Sequence, residues 1–345
     1  MLKDEFVFLD MLQPLISILT PFKNTSNFLP ECIDSILRQC YSHWELIIVD
    51  DHSTDNSYAI VASYAKNDAR IKLLPNNGEG IIDALKTAFS QSKGEYITRM
   101  DSDDVMTEHK LEFMKNQLMI YGKKHVSIGM VKYFSDTGIS DGYERYERWL
   151  NNLTQQGINY SEIYKECVIP SPCWMIHRED LIACDAFNPD RYPEDYDLTF
   201  RFYKHQMKCI PCDEVLHHWR DYATRTSRTH EHYEQNYFLD IKLHYFLELD
   251  YESTRTLTVW GAGFKGKRIA KMLKKRKVPF IWICNNPKKI GKKIYQMELH
   301  SFKQLDELKN PQSIVTVANE RSQDRIKAYF ETQDMQSMVD YFFFC

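Results

Sequence analysis

Short apolar segments alternate with amphipathic ones along the first third of the chain, and this alternation constrains the fold more than any other feature. Each apolar segment is rich in isoleucine, leucine or valine, and the segments between them carry apolar residues at helical spacing. Strand–helix–strand units of this length build a mostly parallel sheet flanked by helices, so we predict an α/β fold. The predicted strands are 15–21, 44–51, 70–75 and 95–101, and the predicted helices between them are 27–39, 58–64 and 81–91.

The composition excludes several classes of protein. With 345 residues, of which 43% are hydrophobic, the chain is long enough for two globular domains. A net charge of −4 provides no global field for nucleic acid, so we expect no nucleic-acid partner. No apolar run reaches the roughly 18 residues of a membrane-spanning helix. The first residues also lack the pattern of a cleavable signal peptide.

The nine cysteines lack the spacing of a disulfide framework. With no signal pattern, this predicts reduced thiols and a cytoplasmic location, including the inner face of the membrane. Cys209 and Cys212 form a CxxC, a pattern that zinc sites and redox motifs also contain. Because the pair lies in a predicted short strand and turn, we interpret it as two packed or surface cysteines.

Three carboxylates lie within four positions in the stretch RMDSDD, residues 99–104, at the end of the fourth predicted strand. Buried like charges raise one another's pKa, so they weaken the fold unless a positive partner is present. Ligands of such sheets bind at the carboxyl ends of the strands, where this stretch lies. The spacing of Asp101 and Asp103 lets both approach one hard cation, Mg²⁺ or Mn²⁺, that keeps positions open for substrate phosphates.

Four segments in order closely resemble family 2 glycosyltransferases of the GT-A fold. They are SILTPFKN, ELIIVDDHSTDNS, GEYITRMDSDD and PEDYDLTFRF. The resemblance covers roughly residues 14–235, and four motifs in the correct order are far more specific than a single DxD. It implies an inverting transfer of a sugar from a nucleotide-diphosphate donor, usually UDP-linked, to a hydroxyl acceptor.

The resemblance assigns the donor side of the site. Thr20, Pro21 and Phe22 match the segment that meets the nucleobase and ribose, and Asp51 matches the acid that hydrogen-bonds the base. The chain departs from the family in two places. His52 stands where the family usually has glycine, and the small residue and Arg-Asn pair expected after the third strand are missing. These departures leave the donor contacts in that region open.

The resemblance also assigns the reacting groups. Asp103 matches the principal metal ligand, and Asp101 matches a residue directed toward the ribose and the metal. Asp195 matches the general base that deprotonates the acceptor hydroxyl, and Glu194 beside it matches an acceptor contact. One base facing a metal-stabilised diphosphate inverts the anomeric centre in a single displacement. Pro-Glu-Asp is also favourable first-turn helix chemistry, which is the alternative interpretation of this pair.

Residues 217–233 resemble a mobile loop that follows the base in one subgroup of the family. Arg225 and Arg228 suit diphosphate oxygens, and His230 would add a metal ligand. The alternative is a solvated basic loop.

The C-terminal third carries a different motif. An apolar strand at 256–260 runs directly into Gly261, Gly263 and Gly266, and a helical segment follows. This order is the setting of a Rossmann-like dinucleotide-binding fold, whose cofactor would be of the NAD type. The acid that would bind the ribose is missing after the next strand, where 285–286 are both asparagine. We therefore expect a structural or regulatory module in preference to bound NAD.

Residues 265–293 contain twelve Lys or Arg and no Asp or Glu. Such a segment suits an anionic membrane surface or a polyanionic partner, and the alternative is a solvated face on a core helix. The expected partners are thus a nucleotide-sugar donor, a saccharide or lipid-linked acceptor, and a peripheral membrane contact.

We predict an N-terminal extension at 1–13, a GT-A glycosyltransferase domain at 14–250 and a Rossmann-like α/β domain at 254–345. The favoured function is a metal-dependent glycosyltransferase of surface polysaccharide or glycoconjugate synthesis. Two alternatives stay open. One is a haloacid-dehalogenase-type phosphatase, whose nucleophile loop fits 101–105 but normally follows the first strand. The other is a nucleotide-sugar-binding protein without catalytic activity.

Overall fold

A computed structural model describes residues 13–223, 225 and 238–345. The chain divides into two compact units. Unit 1 contains 13–159 and the described residues of 168–225, and unit 2 contains 160–167 and 238–345. The short segment 160–167 therefore belongs to unit 2, although the chain on both sides of it belongs to unit 1. The domain limits drawn from the sequence remain a prediction.

Unit 1 is built on a seven-stranded sheet with the order β3-β2-β1-β4-β8-β6-β9, and β5-β10-β7 form a smaller sheet. The strands are β1 (Ile16–Phe22), β2 (Trp44–Asp50), β3 (Ile71–Pro75), β4 (Tyr96–Arg99), β5 (Val105–Met106), β6 (His125–Ile128), β7 (Met130–Phe134), β8 (Trp174–His177), β9 (Lys208–Ile210) and β10 (Val215–Arg220). Strands β1 to β4 are parallel, and β8 runs antiparallel to both β4 and β6. The predicted mostly parallel α/β sheet is confirmed.

The described part of unit 1 contains seven α-helices, and the first three separate the strands as the periodicity predicts. They are α1 (Leu29–Leu37), α2 (Ser57–Asn67), α3 (Gly80–Gln91), α4 (Lys110–Tyr121), α5 (Asp141–Gln156), α6 (Arg178–Ala183) and α7 (Glu194–Lys204). Helix α1 buries Leu29, Cys32, Ile33 and Ile36, which share one face at this spacing. Every residue of β1 is buried, which explains its continuous apolar sequence. The parallel order brings the carboxyl ends of β1, β2 and β4 to one edge of the sheet.

Unit 2 contains a six-stranded sheet with the order β13-β14-β12-β11-β15-β16. The strands are β11 (Leu257–Trp260), β12 (Ile281–Cys284), β13 (Lys293–Ile294), β14 (Met297–Ser301), β15 (Gln312–Val315) and β16 (Tyr341–Phe343), and the helices are α8 (Leu239–Tyr245), α9 (Phe264–Lys275) and α10 (Glu320–Thr332). All neighbouring strands are parallel except β13 and β14. The predicted Rossmann-like α/β module is consistent with this sheet.

Two further observations concern membrane-spanning helices and the CxxC pair. Within the described ranges, no helix is long and apolar enough to cross a membrane. Cys209 and Cys212 are both buried, and both are reduced. The Cys212 thiol contacts the backbone carbonyl of Glu214, 3.5 Å away.

Candidate active site

The acidic stretch forms a tight turn at the end of β4. The backbone N–H of Asp104 donates to the carbonyl of Asp101 at 3.2 Å, which closes the turn. The N–H of Met100 donates to the carbonyl of Leu19 on β1, so the turn begins on the central strands of the sheet. Three carboxylates therefore occupy one short loop at the carboxyl edge, and each has different partners.

Asp101 is held by positive and neutral donors. The Arg99 guanidinium donates to one carboxylate oxygen at 2.9 Å, and the Ser171 hydroxyl donates to the other at 3.1 Å. Burial opposes the charge of Asp101, but Arg99 and further positive groups outweigh it and lower its pKa. Asp101 is therefore a carboxylate at neutral pH.

Asp104 is fully buried, and protein donors reach both of its oxygens. The imidazole Nε2 of His217 lies 3.0 Å from Oδ2, and the backbone N–H of Arg220 donates to Oδ1 at 2.8 Å. Burial raises the pKa of Asp104 to about 7, although Arg225 partly offsets it. The side chain of Asp104 has no exposed surface, whereas that of Asp101 is 20% exposed, so Asp104 is poorly placed to bind a cation.

Asp103 differs from its two neighbours. The hydroxyl of Tyr222 donates to Oδ2 at 2.9 Å, and among the described residues Oδ1 accepts no hydrogen bond. Burial, followed by the charges of Asp104 and Asp101, raises the pKa of Asp103 to about 7. A carboxylate with a free oxygen and an unfavourable charge is the kind of group that a cation stabilises.

The donor set therefore fits a divalent cation in part. Asp103 and Asp101 supply the hard oxygen ligands that Mg²⁺ and Mn²⁺ prefer. In the part of the chain that the structure describes, no three His, Cys, Asp or Glu side chains converge as a complete protein site. A cation held by these two carboxylates would keep positions for oxygens of another molecule, as the sequence predicts.

The second group of acids begins helix α7. The Arg99 guanidinium donates to Glu194 at 2.9 Å as well as to Asp101, so one buried arginine joins the acidic turn to the start of this helix. Burial and the neighbouring charge of Glu194 raise the pKa of Asp195 to about 7. A carboxyl group with this pKa exchanges a proton near neutral pH, which is what a general base requires.

The predicted nucleobase segment lies on β1. Thr20, Pro21 and Phe22 are all buried, and the Thr20 hydroxyl has no hydrogen-bond partner among the described residues. An unpartnered buried hydroxyl is uncommon and needs an explanation, such as a ligand or water. The structure thus leaves the predicted roles of these three residues as predictions.

Asp51 at the end of β2 is already well satisfied. Its carboxylate accepts hydrogen bonds from the Asn76 amide at 2.7 Å, the Gly80 N–H at 2.9 Å and the Lys23 ammonium at 3.2 Å. Burial works against the charge, but these donors lower the pKa of Asp51. Asp51 therefore fixes the β3–α3 loop, and its predicted contact with the nucleobase remains a prediction.

His52 explains one departure from the family pattern. Its φ of 59° lies in the left-handed region, which glycine adopts most easily. Its ring nitrogen lies 2.8 Å from the carbonyl of Gly78. The histidine thus keeps the backbone conformation that suits glycine and adds a contact between two loops at the carboxyl edge.

The basic loop after β10 is described only in part. Arg228 and His230, predicted to bind diphosphate and metal, lie outside the described residues. Arg225 is described, with its guanidinium 5.1 Å from the centre of the Trp219 ring. Its positive charge offsets part of the rise in the pKa of Asp103 and Asp104 and helps to lower the pKa of Asp101. Its predicted role, binding the donor diphosphate, remains untested.

Several residues of the site were not predicted from the sequence. Arg99 precedes the acids in RMDSDD, so its position offered a clue to an ion pair with Asp101, but not to its contact with Glu194. Lys110 and His217 meet across 107 positions of the chain. Tyr222 and Ser171 reach the turn from two other segments. No periodicity or spacing in the sequence links these segments.

The glycine loop of unit 2 follows β11. A Cβ at Gly261, where φ is 124°, would lie 2.5 Å from the Thr316 hydroxyl, and one at Gly266 would lie 2.0 Å from the Gly261 carbonyl. A Cβ at Gly263 would meet nothing within 4 Å. Packing of the fold therefore explains the first and third glycines without a ligand. The NAD-type cofactor remains a prediction that this loop does not require.

The glycine loop also binds side chains of its own unit. The Trp282 indole donates to the Gly261 carbonyl at 2.8 Å, and the Lys289 ammonium donates to the Ala262 carbonyl at 2.9 Å. Asn285, which replaces the expected acid, accepts a hydrogen bond from the Trp260 indole.

Comparison with known proteins agrees with the fold and the acidic turn. The model of the family "Glycosyl transferase family 2" matches residues 17–184, which include the turn at 101–104. The glycosyltransferase GlyG of Streptococcus pneumoniae is 41% identical over 225 residues, which cover 62% of this chain and 73% of GlyG. The chain belongs to glycosyltransferase family 2, and the family predicted from its four motifs is confirmed.

Two further relatives extend the comparison. WfgD of Escherichia coli, a UDP-Glc:α-D-GlcNAc-diphosphoundecaprenol β-1,3-glucosyltransferase, is 30% identical over 218 residues, covering 60% of this chain and 77% of WfgD. A crystal structure of TarS residues 1–349 from S. aureus, in complex with UDP-GlcNAc, superposes with a TM-score of 0.53 at 18% identity. The superposition covers 69% of this chain and 68% of the TarS structure, and this similarity supports the GT-A fold. Family membership disfavours the phosphatase alternative.

Proposed function

We propose that this glycosyltransferase moves a sugar from a nucleotide-diphosphate donor to a hydroxyl acceptor, with inversion of the anomeric centre. The favoured donor is a UDP-sugar. The observation that carries the proposal is the bridge formed by Arg99. Its guanidinium contacts Asp101 in the acidic turn and Glu194 beside Asp195, each at 2.9 Å. Because the buried Arg99 guanidinium joins the acidic turn to the start of α7, it supports a single site in which the donor diphosphate and the acceptor hydroxyl meet.

The division of labour follows from the partners of each acid. Asp103 has a free oxygen and, with Asp101, would hold a divalent cation, Mn²⁺ or Mg²⁺. Such a cation, when bound, would neutralise charge on the departing diphosphate. Asp195 would accept the proton of the acceptor hydroxyl as its oxygen attacks, and Glu194, oriented by Arg99, would contact the acceptor. Thr20, Pro21, Phe22 and Asp51 would meet the nucleoside.

The acceptor class is a saccharide or a lipid-linked saccharide. WfgD, whose acceptor is a diphosphoundecaprenol-linked sugar, supports the lipid-linked class. Synthesis of a surface polysaccharide or glycoconjugate is the matching setting. A lipid-linked acceptor would bring the protein to the cytoplasmic face of a membrane.

A panel of UDP-, GDP-, CMP- and dTDP-sugars, each with and without Mn²⁺, tests the donor proposal by thermal shift. A ligand that binds only the folded state must raise stability by mass action. We expect metal-dependent stabilisation by one nucleotide class, and loss of that stabilisation in Asp103→Ala. If no nucleotide shifts the wild-type transition with metal present, the proposed function is wrong.

We also propose a peripheral membrane contact through unit 2, favoured by the surface of α9. Gly266, Ile269, Ala270 and Leu273 face the core of the unit, which leaves the lysines on the outer side of the helix. Lys267 and Lys275 are exposed and form no ion pair among the described residues, and Phe264 at the start of the helix is 57% exposed. Lysine ammonium groups with an exposed aromatic ring suit an anionic lipid surface.

Pelleting with phosphatidylglycerol vesicles at low and high salt tests this contact. We expect salt-sensitive binding that weakens when Lys267 and Lys275 are both changed to Gln. Lys303 and Lys309 are exposed lysines of the same unit, so changing both to Gln is the matched control and should leave binding unchanged. Equal binding to neutral phosphatidylcholine vesicles, or binding that high salt does not weaken, would contradict a contact between these lysines and anionic lipid.

A further inference from the structure

A buried chain of polar side chains lies behind the acidic turn. The Lys110 ammonium, at the start of α4, lies 3.2 Å from Nδ1 of His217 on β10, and Nε2 of the same ring lies 3.0 Å from Oδ2 of Asp104. All three side chains are inaccessible to solvent, each at 0% exposure. Burying three such polar groups is unfavourable unless their hydrogen bonds are made, so the arrangement needs a reason.

The direction of the hydrogen bonds can be assigned. An ammonium group donates and cannot accept, so Nδ1 of His217 accepts from Lys110. The ring proton then lies on Nε2 and is donated to Asp104. Lys110 also donates to the carbonyl of Pro172 at 2.5 Å. The chain therefore links the acidic turn to the start of α4, to β10 and to the segment before β8.

The links converge on the geometry of the two remaining acids. Ser171, adjacent to the carbonyl that Lys110 binds, donates to Asp101. Arg220, three residues after His217, donates its backbone N–H to Asp104 and its side chain to the carbonyl of Asp103 at 2.7 Å. Pro172, which binds Lys110, is thus next to the residue that orients Asp101, and His217 is three residues from the one that contacts Asp103.

We infer that Lys110 and His217 are positioning residues, which act through Asp104 to fix the turn so that Asp103 can receive the cation and the donor diphosphate. The inference rests on the proposed function. Asp104 is the anchor of the turn, and the ligand role falls to its neighbours. Residues that hydrogen-bond to metal ligands orient those ligands, and substituting such residues commonly lowers metal affinity by about 10- to 100-fold.

Titration of UDP in the presence of Mn²⁺ tests the inference by calorimetry on the full chain, well below its melting temperature. Lys110→Met and His217→Asn should weaken UDP–Mn²⁺ binding about tenfold or more. His217→Gln should bind close to wild type, because its amide nitrogen lies as far along the side chain as Nε2 and still donates to Asp104. The double change Lys110→Met with His217→Asn should add little to either single change, because the residues act in one chain.

A matched control comes from the same helix. Lys115 is also buried, and its ammonium lies 4.7 Å from the centre of the Tyr41 ring, away from the hydrogen bonds of the turn. Lys115→Met should lower stability while leaving UDP–Mn²⁺ affinity unchanged. If Lys110→Met does not fold, the pair His217→Asn and His217→Gln decides the question alone.

Three results overturn the inference, and the third is distinguishable from the first two. If the wild type binds UDP–Mn²⁺ and the Lys110 and His217 variants bind equally well, these residues only stabilise the fold. The same conclusion follows if His217→Asn and His217→Gln weaken binding equally. If the wild type itself does not bind UDP–Mn²⁺, the proposed function fails and the inference fails with it.

Discussion

The acidic turn of unit 1 and the glycine loop of unit 2 each follow a buried parallel strand, and each matches a sequence motif of nucleotide-binding proteins. They differ in what the fold itself explains. Packing accounts for Gly261 and Gly266, because a Cβ at either would meet neighbouring atoms at 2.5 Å or less. Packing does not account for Asp103, which is partly buried, has a raised pKa and keeps one oxygen without a donor in the described structure.

The comparison separates two ways of reading a motif. A motif whose residues satisfy one another is explained by folding, and it says little about a ligand. A motif that leaves charge or hydrogen-bonding capacity unsatisfied indicates that something else binds there. Substitutions in the two units test whether this difference between them is real.

The largest expected effect is on turnover. Changing Asp195 to Asn removes the general base while keeping its size, so kcat should fall about 10²- to 10⁴-fold. UDP–Mn²⁺ affinity should stay near wild type, since the donor side is intact. The assay is steady-state transfer with a donor found in the nucleotide panel. Unchanged turnover would show that Asp195 is not the general base. Donor binding by the wild type without any turnover would favour the alternative of a binding protein without catalytic activity.

The next effect is a pH dependence. Asp195 has a pKa of about 7, raised mainly by burial, and only its carboxylate accepts a proton. At saturating Mn²⁺, which would keep Asp103 ionised, wild-type kcat/KM should therefore fall about tenfold for each pH unit below about 7 and level off above it. The residual activity of Asp195→Asn should lose this acid limb. An unchanged limb in that variant would assign the titration to another group.

The glycine loop gives a smaller effect, on stability alone. Gly266→Ala would place a Cβ 2.0 Å from the Gly261 carbonyl and should destabilise unit 2 by about 1–3 kcal/mol. Gly263→Ala meets no atom within 4 Å, at a φ of −81°, and should change stability by less than about 0.5 kcal/mol. Urea unfolding of both variants measures the contrast. NAD should not raise the wild-type melting temperature, and a clear rise would show that the loop has a ligand.

The smallest effect sharpens the comparison within unit 1. Asp51 is a predicted donor contact whose oxygens already have partners, so Asp51→Asn should cost about 1 kcal/mol of stability at neutral pH. Because folding lowers its pKa from the ordinary value of 3.8, its contribution is full above that pH and is lost as the pH falls through the folded value. Unfolding of wild type and variant should therefore converge in acid. A constant difference at all pH values would contradict an electrostatic role for Asp51.

The sequence allowed much of the fold to be predicted, for a physical reason. Strands buried on both faces read as continuous apolar runs, and helices such as α1 show their buried face as a period of 3–4 residues. Asp101 and Asp103 were singled out because they follow a predicted strand, and Asp195 because its segment resembles a family motif; their roles remain predictions.

The contacts that link these acids could not be predicted. Arg99 reaches Glu194 across 95 positions, and Lys110 reaches His217 across 107. Such pairs are set by how strands and helices pack, and no local periodicity records them. The segment 160–167, which joins unit 2 from within the sequence of unit 1, escaped prediction for the same reason.

The most direct test of the central claim, that the acidic turn binds a divalent cation together with a nucleotide diphosphate, is calorimetric titration of UDP with and without Mn²⁺. We predict binding to the wild type that requires Mn²⁺ and is abolished by Asp103→Ala in a variant that still folds. Equal UDP affinity without metal, or undiminished affinity in Asp103→Ala, would contradict the assignment of this turn as the metal and diphosphate site.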